Sequence, residues 1–68
     1  MTYEIKARYW NRKAWMSLGA AQEAKFVLKH EPSQLRKTIL AGVIRDQVWH
    51  ARQAMRMAVQ YRQLNEVL

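Results

Sequence analysis

The 68-residue sequence contains no cysteine, one proline, two glycines and only five acidic residues. Without cysteine the chain cannot form a disulfide, a thiolate metal site or a thiol nucleophile. It also lacks a glycine-rich loop that could cradle a phosphate, and its two serines are placed where helix caps are expected. We therefore expect a protein that is not an enzyme and needs no cofactor.

Long apolar runs are missing as well. No stretch approaches the roughly 20 apolar residues that cross a bilayer, and the first residues lack the apolar core of a secretory signal. These absences indicate a soluble, intracellular protein, with the cytoplasm as the expected location and no membrane span.

Metal binding has little support in the sequence. Asp46 and His50 are four residues apart and would share one side of a helix. A protein site for a metal such as zinc needs three or four ligands, and no third is apparent nearby. We predict no metal site.

The length permits one domain, residues 1–68, with a small core. A folded monomer of this size buries roughly 60% of the surface that its unfolded chain exposes, so its stability is marginal. Because disulfides are excluded, stability has to come from close helix packing or from association with another chain.

Positive charge dominates and lies at the two flanks of the chain. Lysines and arginines number 12, which gives a net charge of +7. Residues 1–16 carry +3, residues 17–32 are neutral, and residues 33–68 carry +4. A fold that brings the flanks to one side would present a continuous positive surface to a polyanion.

The first segment admits two interpretations. Residues 2–9 alternate apolar and polar side chains, as a strand does, but their apolar residues also fit a short N-terminal helix, which we favour because a lone strand has no pairing partner. A strand followed by two helices would resemble the ribbon-helix-helix repressors in architecture. That resemblance implies DNA contact by the alternating face of Thr2, Glu4, Lys6 and Arg8.

The remainder of the chain predicts two helices and an all-α fold. Ser17 is a candidate cap for a shorter helix over about 17–30, and Pro32 marks the turn that follows it. Ser33 is a candidate cap for a long helix over about 34–66. The result is a small helical hairpin or bundle.

The long helix has a wide apolar arc that contains two overlapping seams of residues spaced alternately three and four apart. The first seam is Ala41, Ile44, Val48, Ala51, Met55 and Ala58, and the second is Leu40, Val43, Gln47, His50, Ala54, Met57, Tyr61 and Leu64. One short helix covers one seam, so the second seam predicts a further partner. We predict a homodimer, although an N-terminal helix that folds back could cover the same surface in a monomer. The predicted dimer interface is Ile44, Val48, Ala51, Met55 and Ala58.

The strongest candidate site is an arginine stripe on the long helix, made of Arg45, Trp49, Arg52 and Arg56 and continued by Gln60 and Gln63. Arginines four residues apart repel each other unless acids neutralise them, and Asp46 is the only acid nearby in the sequence. The guanidinium fork suits phosphate, and an exposed indole can stack on a base. A solvated face with Trp49 packed on the N-terminal segment is the structural alternative.

A second candidate, the N-terminal cluster, interleaves basic and aromatic side chains: Lys6, Arg8, Tyr9, Trp10, Arg12, Lys13 and Trp15. The N-terminal cluster suits nucleic acid, with its charged members as contacts and with Trp10 and Trp15 assigned to the core. We predict a small basic regulatory protein that binds nucleic acid, and we favour DNA over RNA as the ligand. The alternative is an adaptor or inhibitor that binds an acidic or apolar protein surface through the arginine stripe. The predicted nucleic-acid contacts are Arg45, Arg52, Arg56, Trp49, Lys6, Arg8, Arg12 and Lys13.

Overall fold

The chain forms a hairpin of two long helices in the computed structural model, which describes residues 2–67. Helix α1 spans Tyr3–His30 and helix α2 spans Gln34–Val67. The two helices pack against each other along a body with Cα extents of 53 × 14 × 13 Å. No strand occurs between residues 2 and 67, so the all-α prediction is confirmed.

Helix α1 begins one residue into the described chain and continues without a break. The Thr2 hydroxyl accepts a hydrogen bond from the backbone N–H of Ile5 at 3.2 Å and so caps the first turn. Glu4 in that turn adds a favourable interaction with the helix dipole.

Two expectations for the N-terminal half are corrected. The strand alternative for residues 2–9, and with it the ribbon-helix-helix resemblance, is wrong because residues 3–9 are helical. A separate N-terminal helix and a new start at Ser17 are also not observed, because α1 runs through Ser17 and Gly19. A glycine inside a helix costs about 1 kcal/mol relative to alanine, which a helix of 28 residues tolerates.

The turn lies at Pro32, as the sequence predicts. Glu31 ends α1 with an extended backbone, and its N–H bonds to the Leu28 carbonyl at 3.3 Å. Its carboxylate accepts a hydrogen bond from the Ser33 N–H at 3.2 Å. The Ser33 hydroxyl in turn accepts one from the Arg36 N–H at 3.4 Å, which confirms Ser33 as the cap of α2.

Alanine methyl groups make up the buried core. Ala14 is 0% exposed and Ala51 is 1% exposed, while no large side chain between residues 2 and 67 is fully buried. Small side chains let two helices approach closely, but they also remove little apolar surface from water. The buried residues are Ala7, Ala14, Ala21 and Ala24 in α1 and Ala51, Ala54 and Ala58 in α2.

An aromatic contact joins the far ends of the helices. The rings of Tyr3 and Tyr61 stack with centroids 6.0 Å apart. The Lys6 ammonium lies 5.8 Å from the Tyr3 centroid and 5.5 Å from the Tyr61 centroid. Together with the turn at Pro32, this contact fixes α1 and α2 as antiparallel.

Many large apolar side chains remain on the surface of the hairpin. Phe26 is 67% exposed and Leu35 is 72% exposed, for example. Despite this, neither helix within residues 2–67 combines the length and the apolar character that a bilayer crossing requires.

Candidate functional site

The arginine stripe is solvent-exposed along its whole length. Arg45, Arg52 and Arg56 are all exposed, as are Gln60 and Gln63, and Trp49 is 58% exposed. The structural alternative, with Trp49 packed on the N-terminal segment, is therefore wrong. An indole left in water among three guanidinium groups is available to a ligand.

Acidic side chains do not neutralise this stripe. In the part of the chain that the structure describes, ion pairs join Arg8 to Glu4 at 2.8 Å and Arg36 to Glu31 at 4.0 Å. Neither pair includes a stripe arginine. Asp46 borders the same concavity as Arg45 and Arg52 but forms no ion pair with either within the described residues, so the stripe keeps a net positive charge.

The charged members of the N-terminal cluster differ in how firmly the protein holds them. Lys6 is half-buried over two tyrosine rings, and Arg8 is paired with Glu4. The Lys13 ammonium lies 5.5 Å from the Tyr9 centroid but remains exposed, and Arg12 is exposed as well. Lys13 and Arg12 are consequently the freest cations of this cluster.

A groove between the two helices brings the N-terminal cluster and the stripe together. This inter-helix groove has a volume of about 690 Å³. Its lining includes no acidic residue. Helix α1 contributes Tyr9, Trp10, Lys13 and Ser17, and α2 contributes Trp49, His50, Gln53, Ala54, Arg56, Met57 and Gln60.

A second concavity, of about 510 Å³, holds the other two stripe arginines. Arg45 and Arg52 line it together with Trp49, and Asp46 is also present. Trp49 therefore stands on the ridge between the inter-helix groove and this second concavity. The four stripe residues do not share one pocket. They form a continuous path along α2 that runs from Arg45 and Arg52 over Trp49 to Arg56 and Gln60.

The three tryptophans occupy different environments. Trp10 is half-buried and meets the Tyr9 ring edge-on with centroids 5.4 Å apart. Trp49 contacts the His50 ring in the same manner at 5.1 Å. Trp15 is 65% exposed and does not line the inter-helix groove, so its assignment to the core is wrong.

The residues predicted for the dimer interface divide into two groups. Ala51 and Ala58 are buried within the chain itself, at 1% and 3% exposure. Ile44 and Val48 are half-buried, and Met55 is 39% exposed. In this arrangement only Ile44, Val48 and Met55 retain surface that a second chain could cover.

Three groove residues, His50, Gln53 and Met57, were not among the site residues predicted from the sequence. His50 and Met57 belong to the second apolar seam of α2 and were interpreted as packing residues. His50 and Met57 are seven residues apart, with Ala54 between them at helical spacing, and this spacing is the sequence signal that places them on a common side of the helix.

The chain matches no known protein-family model, and searches of curated proteins and of solved structures gave no significant match.

Proposed function

We propose that this protein binds nucleic acid through the inter-helix groove and the adjoining arginine stripe. The observation that carries the proposal is the meeting of basic and aromatic side chains from both flanks in one groove without an acidic neighbour. Affinity for polyanions depends on such an uncompensated positive surface.

Each type of side chain in the groove has a role in this proposal. Lys13 and Arg56 contact phosphates, since both are exposed and neither has a carboxylate partner within the described residues. Trp49 offers a stacking surface for a base. Gln53 and Gln60 can donate and accept hydrogen bonds at base edges.

The path extends beyond the groove in both directions. Arg45 and Arg52 continue it over the Trp49 ridge, and Arg12 adds charge on α1. We assign smaller contributions to Lys6 and Arg8, because the tyrosine rings and Glu4 already engage them.

The test is binding to mixed-sequence DNA and RNA, measured by fluorescence anisotropy at several salt concentrations. Replacing Arg56 with Gln should weaken binding at low salt and reduce the slope of log K against log salt by about 0.7 to 0.9, because one phosphate contact is lost. Lys25→Gln removes the same charge from an exposed α1 position outside the groove and is the matched control.

Two results would contradict the proposal. One is an absence of binding to any nucleic acid at micromolar protein. The other is an affinity that does not fall when salt rises about fourfold, since phosphate contacts release counterions.

An adaptor that binds an acidic protein segment is the second candidate. The favouring observation is the 58% exposure of Trp49 between arginines, because tryptophan and arginine are enriched in interface hot spots. In a pull-down, Trp49→Ala should release such a partner. Retention of every partner by that variant would rule out this candidate.

We further infer that two hairpins associate as a homodimer. A core of alanine methyl groups provides little hydrophobic stabilisation, and many larger apolar side chains remain in water. The Cα extents of 53 × 14 Å give one side of the body a projected area of roughly 700 Å², which has room for most of the roughly 800 Å² per partner that a standard interface buries.

The side that carries Val48 and Met55 is our choice for this interface. These residues are seven apart and therefore lie on one side of α2, where half-buried Ile44 adjoins them. Because the side chains at the centre of this surface are uncharged, the surface can pack against the same surface of a second chain across a two-fold axis without charge repulsion. Neither Val48 nor Met55 lines the inter-helix groove, which this dimer leaves open. Ile44 and Val48 do border the second concavity, so in the dimer nucleic acid reaches Arg45 and Arg52 from their solvent-facing side.

A further inference from the structure

We propose that the inter-helix groove selects single-stranded over double-stranded nucleic acid, an inference that rests on the proposed function and narrows its ligand. The groove has three aromatic side chains, Tyr9, Trp10 and Trp49, along its lining. Aromatic faces bind bases that are unstacked, and bases inside a duplex are stacked on each other.

The shape of the site agrees with an extended strand. The groove is concave and lies between two helices that pack together along the length of the hairpin. Its volume of about 690 Å³ is that of a cleft open to solvent rather than of a closed pocket. An unstacked base can enter such a cleft beside the aromatic side chains, whereas a base that is paired and stacked inside a duplex cannot.

The length of the path sets the number of nucleotides. From Arg45 to Gln60 the path runs roughly 22 Å, at 1.5 Å per residue of helix. A strand with a rise of 3.4 Å per nucleotide covers that distance with about six nucleotides, and a more extended strand needs fewer. A 12-nucleotide probe is consequently long enough to fill one path.

Charge and amide groups along the same path suit a strand of any sequence. Lys13 and Arg56 flank the groove, and Arg45 and Arg52 follow beyond Trp49, so phosphates can be contacted on both sides of a stacked base. Gln53 can bond to the base edges that pairing would occupy in a duplex.

The experiment measures tryptophan fluorescence and affinity with three probes: a mixed-sequence 12-nucleotide DNA, the RNA of the same sequence, and the DNA duplex. We expect at least tenfold tighter binding of one or both single strands than of the duplex, with quenching of tryptophan emission. Trp49→Phe should lose about fivefold or more in affinity and much of the quenching, because one stacking surface becomes smaller.

Trp15→Phe is the matched control, since Trp15 is similarly exposed, at 65% against 58% for Trp49, but lies outside the groove. This variant should bind as the unmodified protein does. Helix content measured by circular dichroism shows whether each variant is folded. Because phenylalanine retains an aromatic ring at an exposed position, we expect both variants to keep their helices.

The outcomes separate this inference from the proposal on which it rests. Tighter binding of the duplex overturns strand selection and leaves nucleic-acid binding intact. Failure of all three probes overturns the proposed function itself. Equal loss in Trp49→Phe and Trp15→Phe, or no loss in either, shows that single strands bind elsewhere than in the groove.

Discussion

The alanine side chains between α1 and α2 determine how closely the helices approach. Ala14 and Ala51 are almost entirely excluded from solvent, and both carry only a methyl group. Alanine loses no side-chain entropy on burial and has the highest helix propensity. These positions therefore stabilise each helix and the contact between helices together, and a longer side chain has no space there.

We predict that Ala14→Leu lowers the free energy of unfolding by about 1 to 3 kcal/mol, because the larger side chain forces the helices apart. Thermal denaturation followed by circular dichroism measures the effect. Ala41→Leu introduces the same side chain at an exposed position and should change stability little. Equal effects of the two substitutions would show that Ala14 is not in a close contact.

At the scale of the element, each helix contains one glycine that the packing does not require. A Cβ atom added at Gly19 or at Gly42 meets no atom within 4 Å outside its own stretch of helix. Neither glycine has a positive φ angle. Both positions therefore lower helix stability without serving the contact between α1 and α2.

Gly19→Ala and Gly42→Ala should each raise the free energy of unfolding by about 1 kcal/mol, the difference in helix propensity. For a domain of 60 to 100 residues that corresponds to an increase in Tm of roughly 4 to 8 °C. A decrease in Tm for either variant would contradict the observed open space around the glycine. An increase together with weaker nucleic-acid binding would indicate that the ligand approaches the helix at that point.

Sequence periodicity predicted α2 well and α1 poorly, for identifiable reasons. Pro32 and Ser33 give strong local signals for a boundary, and the predicted range 34–66 agrees with the observed Gln34–Val67. Ser17 and Gly19 resemble a boundary equally well, yet a helix stabilised by contact along its whole length continues through them. The seven-residue alanine pattern of α1 was the signal that would have predicted one long helix.

The candidate site was predictable only in part. The position of the stripe residues on one side of α2 follows from their spacing, whereas the sequence left open whether Trp49 is exposed or packed on the N-terminal segment. The meeting of Lys13 with Arg56 in one groove does not follow, because it depends on the register between α1 and α2. Periodicity fixes the side of a helix on which a residue lies, but not the residue that faces it on another helix.

At the scale of the whole molecule, α2 has two methionines on opposite sides. Met55 and Met57 are separated by two residues, or about 200° around a helix. Met57 lines the inter-helix groove, whereas Met55 lies on the side that we assign to the dimer. The pair allows the groove and the opposite side of α2 to be changed one at a time, with Met55 also bordering a shallow concavity beside Arg56 and Gln60.

Met55→Glu should convert the dimer to a monomer, because a charge would be buried without a partner in the interface. Met57→Glu should leave the dimer intact and weaken nucleic-acid binding, because it places a negative charge in the groove. Sedimentation equilibrium gives the mass of each variant, and anisotropy gives its affinity. A monomeric unmodified protein at all concentrations, or loss of the dimer in Met57→Glu alone, would contradict the proposed interface.

The buried contact between α1 and α2 consists of identical methyl groups, so it does little to fix the register of one helix against the other. Ala7, Ala14 and Ala21 are seven residues apart, as are Ala51 and Ala58, so a slide of α1 by one heptad against α2 would again place methyl groups opposite methyl groups in part of the contact. Correct alignment therefore depends on the two ends, where the Glu31–Ser33 turn and the Tyr3–Tyr61 stack permit only one offset. The tyrosine stack at the open end of the hairpin, together with the turn, thus decides whether Lys13 and Arg56 come to face the same ligand.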